Sequence, residues 1–170
     1  MALLQAATTR RAITTLRAVT AALLMTAVLV VGSLGLVQAT PAQAATAQAV
    51  RMKLRLEIWH WALHQRGKPY VWGGTGPHGF DCSGLVYAAY RHHGVKLPRT
   101  TYQMLGNWRL VRIRKSQARQ GDLAFFGSGH VELFDHGDWT FGAQRPGTRI
   151  GYHRMNRWWH PTMYFRVLHR

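Results

Sequence analysis

One cysteine in 170 residues, Cys82, leaves this chain with no internal disulfide. Whatever it folds into must therefore be held by packing and hydrogen bonds, and the sulfur is free for chemistry. It stands in the run Gly79-Phe80-Asp81-Cys82-Ser83-Gly84-Leu85-Val86. Asp and Ser are helix-starting residues, and the apolar stretch from Leu85 to Tyr90 reads as the helix body. A thiol on the first turn of a helix meets unpaired N–H groups and the positive end of the macrodipole, which favour its anion. Cys82 is the candidate nucleophile.

Residues 1–44 read as a signal peptide rather than part of the fold. Arg10, Arg11 and Arg17 are its only charges, and an apolar run from Ala18 to Val37 follows them. Ala42-Gln43-Ala44 is the best small-x-small cleavage site and Val37-Gln38-Ala39 the second. The rival is an uncleaved membrane anchor, since the run is nearly long enough to span; Gly32, Ser33 and Gly35 favour cleavage. Thr9-Arg10-Arg11-Ala12-Ile13 is loosely similar to a twin-arginine signal. A secreted or envelope protein is expected, meeting the membrane only through an uncleaved leader. The remaining 126 residues suffice for one domain with its own core, and they carry +13 of the net +16. Such a charge attracts polyanions. Outside a cell these are wall carboxylates, anionic wall polymers and lipid headgroups; a merely soluble, arginine-rich surface is the bland alternative.

Residues 45–50 are expected to be a flexible linker and 51–170 the folded domain. From Val50 to Gln65 apolar residues recur with helical period, Leu54, Ile58, Trp61 and Ala62 on one stripe and Met52, Leu56, Trp59 and Leu63 on the next. Tyr70-Val71-Trp72 is a short extended piece entering a Gly/Pro-rich loop that delivers the chain to Cys82. Gly94 stops the cysteine helix, and another short helix starts around Pro98–Thr101. Strands are expected at Leu123–Phe126, His130–Phe134, Thr140-Phe141, Arg149–Tyr152 and Thr162–Val167. Helices first and antiparallel strands afterwards make an α+β layout, with the helices on one face of the sheet.

A thiolate needs a base to take its proton and return it to a leaving amine. Among ten histidines, His130 stands out: it opens a strand after the turn Gly127-Ser128-Gly129, at the mouth of the sheet. A surface turn histidine is the other reading of that position.

The motifs Gly67-Lys68-Pro69-Tyr70-Val71-Trp72-Gly73-Gly74, Phe80-Asp81-Cys82-Ser83-Gly84-Leu85-Val86, Leu97-Pro98-Arg99-Thr100, Gly121-Asp122-Leu123-Ala124-Phe125-Phe126 and Gly129-His130-Val131 closely resemble the NlpC-type cell-wall peptidases. These are small papain-like cysteine hydrolases. The resemblance implies a peptidoglycan hydrolase cutting stem peptides between D-glutamyl and the following diamino acid, working as a monomer without cofactor or metal. Cys82 would be the nucleophile, its own backbone N–H would help hold the oxyanion, and His130 would be the base. Tyr70 matches a family tyrosine that borders the site. Asp81 and Ser83 match positions that bind a peptide amine in some members, although helix capping explains them equally well.

One position departs from the family. A polar residue, often His, usually stands on the strand after the base, and here the matching stretch is Phe141-Gly142-Ala143. Glu132, two residues after His130 and on the same sheet face, can orient the imidazole as the acid does in other triads. Gln144 is the second choice and His153 the third. An amidase on the same fold and an inactive, basic envelope-binding protein remain as alternatives. The aromatic, basic stretch Tyr152–His160 reads either as a wall-binding lip or as a core cap. Its composition also suits single-stranded nucleic acid, but an export signal makes nucleic acid an unsuitable partner.

Overall fold

A computed structural model describes residues 40–168; the leader residues 1–39, with their apolar run and paired arginines, lie outside the described residues. Thr40 and Gln43 cap each other's backbone N–H groups at 2.9 and 3.3 Å. These are the reciprocal bonds of a capping box, with Pro41 at the first helical position. The helix they open, α1, runs Pro41–Leu63. Residues 45–50, expected as a flexible linker, are therefore helical. The stretch is rich in Ala and Gln, good helix formers, and the linker reading weighed its small side chains without the cap ahead of them. The far end of α1 buries Ile58, Trp59 and Ala62.

Two more helices follow, α2 over Cys82–His92 and α3 over Thr101–Leu105. Six strands come next: β1 Leu110–Ile113, β2 Leu123–Phe126, β3 His130–Phe134, β4 Trp139–Gly142, β5 Gly151–Arg154 and β6 Met163–Val167. They form one antiparallel sheet in the order β1-β6-β2-β3-β4-β5. The layout is the expected α+β, papain-like one. β1 is the element that the sequence did not announce. It is an edge strand whose middle residues, Val111 and Arg112, are exposed, so it lacks the alternation that marks a half-buried strand.

One face of the sheet packs Leu123, Phe125, Val131, Leu133 and Phe141 against Ile58, Trp59, Leu85, Val86, Ala89 and Tyr90 of the helices. Strand alternation then turns His130, Glu132 and Phe134 away from that core, and Phe134 joins Ala124, Met155 and Tyr164 in a smaller cluster. The catalytic-type residues thus ride on a strand fixed by apolar packing behind it.

Asp122 fastens the entrance to β2. It is 1% exposed and takes Arg166 Nη2 and Nε of β6 at 2.6 and 3.0 Å and the Arg119 N–H at 2.8 Å. Removing its charge leaves a half-covered guanidinium without its acid. We expect Asp122→Asn to cost about 2–3 kcal/mol, read as a lower urea midpoint; an unchanged midpoint contradicts this account.

Candidate active site

The first turn of α2 is held from both sides. Asp81 is its N-cap: one carboxylate oxygen accepts the Gly84 N–H at 2.6 Å and the other accepts the Gly73 N–H at 2.9 Å. Arg99 closes on the same carboxylate at 2.6 and 3.0 Å and donates to Ser83 Oγ at 2.9 Å. A Cβ on Gly84 would run into the Gly74 carbonyl, so only glycine lets the loop lie this close to the helix. Cys82, 9% exposed, is locked at the head of α2 by these contacts.

His130, at the start of β3, meets the sulfur. Its Nε2 lies 3.1 Å from Glu132 Oε1, and the ring also hydrogen-bonds the Cys82 side chain. Burial works to lower the His130 pKa, but hydrogen bonds to Cys82 and Glu132 and their negative charge outweigh it and raise the value to about 9. Trp159 stacks on Phe126 at 4.4 Å between ring centroids and lies 5.2 Å from the His130 ring, covering it.

Behind His130, Glu132 is 0% exposed. Oε1 has His130 Nε2 at 3.1 Å and His153 Nδ1 at 2.8 Å; Oε2 accepts the Thr140 hydroxyl at 2.5 Å. Burial pushes this carboxyl up, yet the two imidazoles prevail and hold it at about 2. Glycine at position 142 has a steric reason here. A Cβ there would sit 2.7 Å from Glu132 Cγ, so Glu132 occupies the space that a side chain from β4 would fill.

Tyr70, Asp81, Cys82, Ser83, His130 and Gln144 line one cleft of about 570 Å³. Six of the seven site residues read from the sequence thus share a cavity, and the seventh, Glu132, supports it from behind. Burial, then the charges of Cys82 and Asp81, raise the Tyr70 pKa, so its phenol stays a hydrogen-bond donor. Arg99 and Arg145 also line the cleft, and Trp72 stands 84% exposed beside it. The sequence reading gave these three no role in the site, although Arg99 sits in one of the quoted motifs. The stretch Tyr152–His160 divides between its two readings: Tyr152 packs on Trp59 and Phe141, while Trp158 is 80% exposed with Arg157 over its ring at 4.3 Å. Among the described residues no group of three His, Cys, Asp or Glu side chains is arranged to hold a metal.

The profile of the NlpC/P60 family matches residues 67–168, from the Tyr70 loop through the last strand. The chain belongs to the NlpC/P60 family. It is 48% identical over 79 residues to the probable endopeptidase YafL of Escherichia coli K12, covering 45% of this chain and 32% of YafL. The chain thus spans about a third of that relative's length. Among solved structures, an NLP/P60-family protein similar to lipoprotein from Staphylococcus aureus superposes with a TM-score of 0.61 at 33% identity, covering 69% of this chain and 42% of the other. The resuscitation-promoting-factor-interacting protein RipA, solved in forms mutated at a cysteine, a histidine and a glutamate, superposes with a TM-score of 0.62 at 25% identity, covering 72% of this chain and 65% of RipA.

The raised His130 value carries a sign. Its ion pairing stabilises the fold fully below the ordinary histidine value of about 6.5 and is lost as pH rises through about 9. Glu132→Gln is therefore expected to bring His130 down toward 6.5 in an NMR titration, and to cost more stability at pH 6 than at pH 10. Gly142→Val, by crowding Glu132, should move His130 in the same direction. A His130 that still titrates near 9 in both variants would refute the assignment.

Proposed function

We propose that this protein is an exported peptidoglycan hydrolase, a cysteine endopeptidase acting on stem peptides through a thioester. The observation that carries the reading is the line Cys82–His130–Glu132 running from a cleft into a buried carboxylate. Cys82 attacks the scissile carbonyl carbon as its thiolate, with the proton on His130. The Cys82 N–H and the Tyr70 hydroxyl donate to the developing oxyanion. His130 protonates the leaving amine, and the C–N bond breaks to leave a thioester. His130 then takes a proton from water, hydroxide adds to the thioester, and the thiolate departs with the freed acid. Glu132 keeps Nε2–H fixed and stabilises the imidazolium, the part played by the buried acid of a triad.

The bond proposed is the one between D-glutamyl and the diamino acid, as the family resemblance implies. Gln144 and Arg145 are the polar groups offered to the stem peptide, while the Ser83 hydroxyl, though in the cleft, is held by Arg99 and Asp81. The carboxylate oxygens of Asp81 are already taken by five donors, which favours its capping role over binding a substrate amine. Wall targeting is attributed to charge. All six acids are paired with a cation or an imidazole, Glu57, Asp81, Asp122, Glu132, Asp135 and Asp138 alike, so most Lys and Arg among the described residues face solvent with no acid of their own.

Purified peptidoglycan provides the test. Cys82→Ala and His130→Ala should abolish release of peptide fragments while the variants keep a cooperative melt, and Glu132→Gln should lower kcat by about 10²-fold or more. Mass spectrometry of the fragments identifies the bond: sugar-free products carrying an intact L-alanyl end would point to the amidase instead. Release by Cys82→Ala at the wild-type rate would end the proposal. Retention on wall should fall steeply between low and 0.5 M salt, a range over which screening shortens to about 4 Å; retention indifferent to salt would remove charge as the targeting force.

A further inference from the structure

The Glu132 carboxylate is surrounded from three strands. His130 reaches it along β3, Thr140 from β4 and His153 from β5, and Thr140 and His153 are register partners whose side chains share the Glu132 face. Gly142 presents no side chain below it, and a Cβ there would meet Glu132 Cγ at 2.7 Å, so polar partners rather than a β4 side chain direct the carboxylate. Thr140 holds one oxygen and also donates to the His153 carbonyl at 3.3 Å. His153 Nδ1 lies 2.8 Å from the other oxygen, the one that faces His130. That contact is short but bent, an ion-pair geometry, and Nδ1 has no hydrogen-bond partner among the described residues. A buried ring nitrogen placed so is accounted for by Glu132 alone.

We propose that His153 is a positioning residue: with its Nδ1 held 2.8 Å from Oε1, it pins the carboxylate that orients His130, and so acts on Cys82 through two intervening side chains. The assignment rests on the hydrolytic reading of Cys82, His130 and Glu132. It extends that line by one residue, to the strand at the end of the sheet. The reason lies in geometry. Glu132 and His130 are two apart on one strand, so the carboxylate must lean along the strand to meet Nε2, and a leaning chain over glycine needs an external hold. Second-layer partners of this kind fix tautomer and ring orientation in other His–carboxylate arrangements.

Two rates measured side by side test it: fragment release from purified wall, and alkylation of Cys82 by iodoacetamide at pH 6, which needs no substrate. His153→Leu should slow both by about tenfold with KM within about twofold, because the hold on the imidazolium is lost while the cleft is untouched. His153→Asn, whose amide N–H stands near the place of Nδ1, should recover both to within about threefold of wild type. Added to Glu132→Gln, His153→Leu should slow neither rate further, since residues acting through one another are not additive. If His153→Leu loses its cooperative melt, His153→Phe, which keeps the ring volume without a donor, is read in its place. A donor-less variant within twofold of wild type overturns the proposal, as does an effect that adds in full to that of Glu132→Gln. A wild type that alkylates fast in a His130-dependent way but releases no fragments removes hydrolysis instead, and the alkylation rates alone then decide the role of His153.

Discussion

A single carboxylate sealed from water, that of Glu132, is the constraint around which this site is arranged. Taking an ionised carboxyl out of water costs several kcal/mol unless donors replace the solvent. Here two do, the His130 imidazole on one oxygen and a hydroxyl on the other, with the His153 ring at ion-pair distance from the first. The Cys82 sulfur and the charge that results together raise His130 well above its ordinary range. The sheet thereby turns one buried anion into a cation at the mouth of the cleft. A cation there is what a neighbouring thiol needs to give up its proton.

The helical half of the site follows a different logic. Cys82 is placed by backbone chemistry: an N-cap aspartate, an arginine closing on that aspartate, and a glycine whose missing Cβ lets a loop lie against the first turn. These are short-range devices, and each belongs to a motif of adjacent residues. Sulfur and imidazole therefore come from independently stabilised elements, the head of α2 and the rim of β3, which the apolar packing of Leu85, Val86 and Ala89 against Val131 and Leu133 brings together.

That difference explains what could be read from the sequence. Five strands, the cysteine helix and the short α3 were legible because short apolar or alternating runs bounded by turn residues, and a helical period, survive in the residue types. The pairing of Glu132 with His130 was legible for a similar reason, since two residues apart on a strand means one face. Thr140 was not legible, because its part depends on strand register, and register is set by long-range pairing that a linear pattern does not carry. The same ignorance of register left His153 third behind Gln144 as a candidate partner. Edge strand β1 was missed because an exposed strand has no apolar face to betray it. The helical state of residues 45–50 was missed because the signal, a capping box at Thr40 and Gln43, lies before the stretch it organises.

Gly142 and Glu132 share one volume between neighbouring strands, so only one of the two positions can send a side chain into it. The family resemblance puts a polar residue on the strand after the base, where this chain has Gly142. A carboxylate sent up from that position on β4 would occupy the volume that the Glu132 side chain fills from β3. The two solutions exclude each other sterically, since a Cβ at 142 already collides with Glu132 Cγ. A chain that adopts the β3 solution must give up its β4 side chain, and with it the wall that would have braced the carboxylate. The brace then has to come from farther out in the sheet, and Thr140 and His153 are the side chains that stand there. On this argument the acid on β3 depends on the glycine for its room and on Thr140 and His153 for its hold.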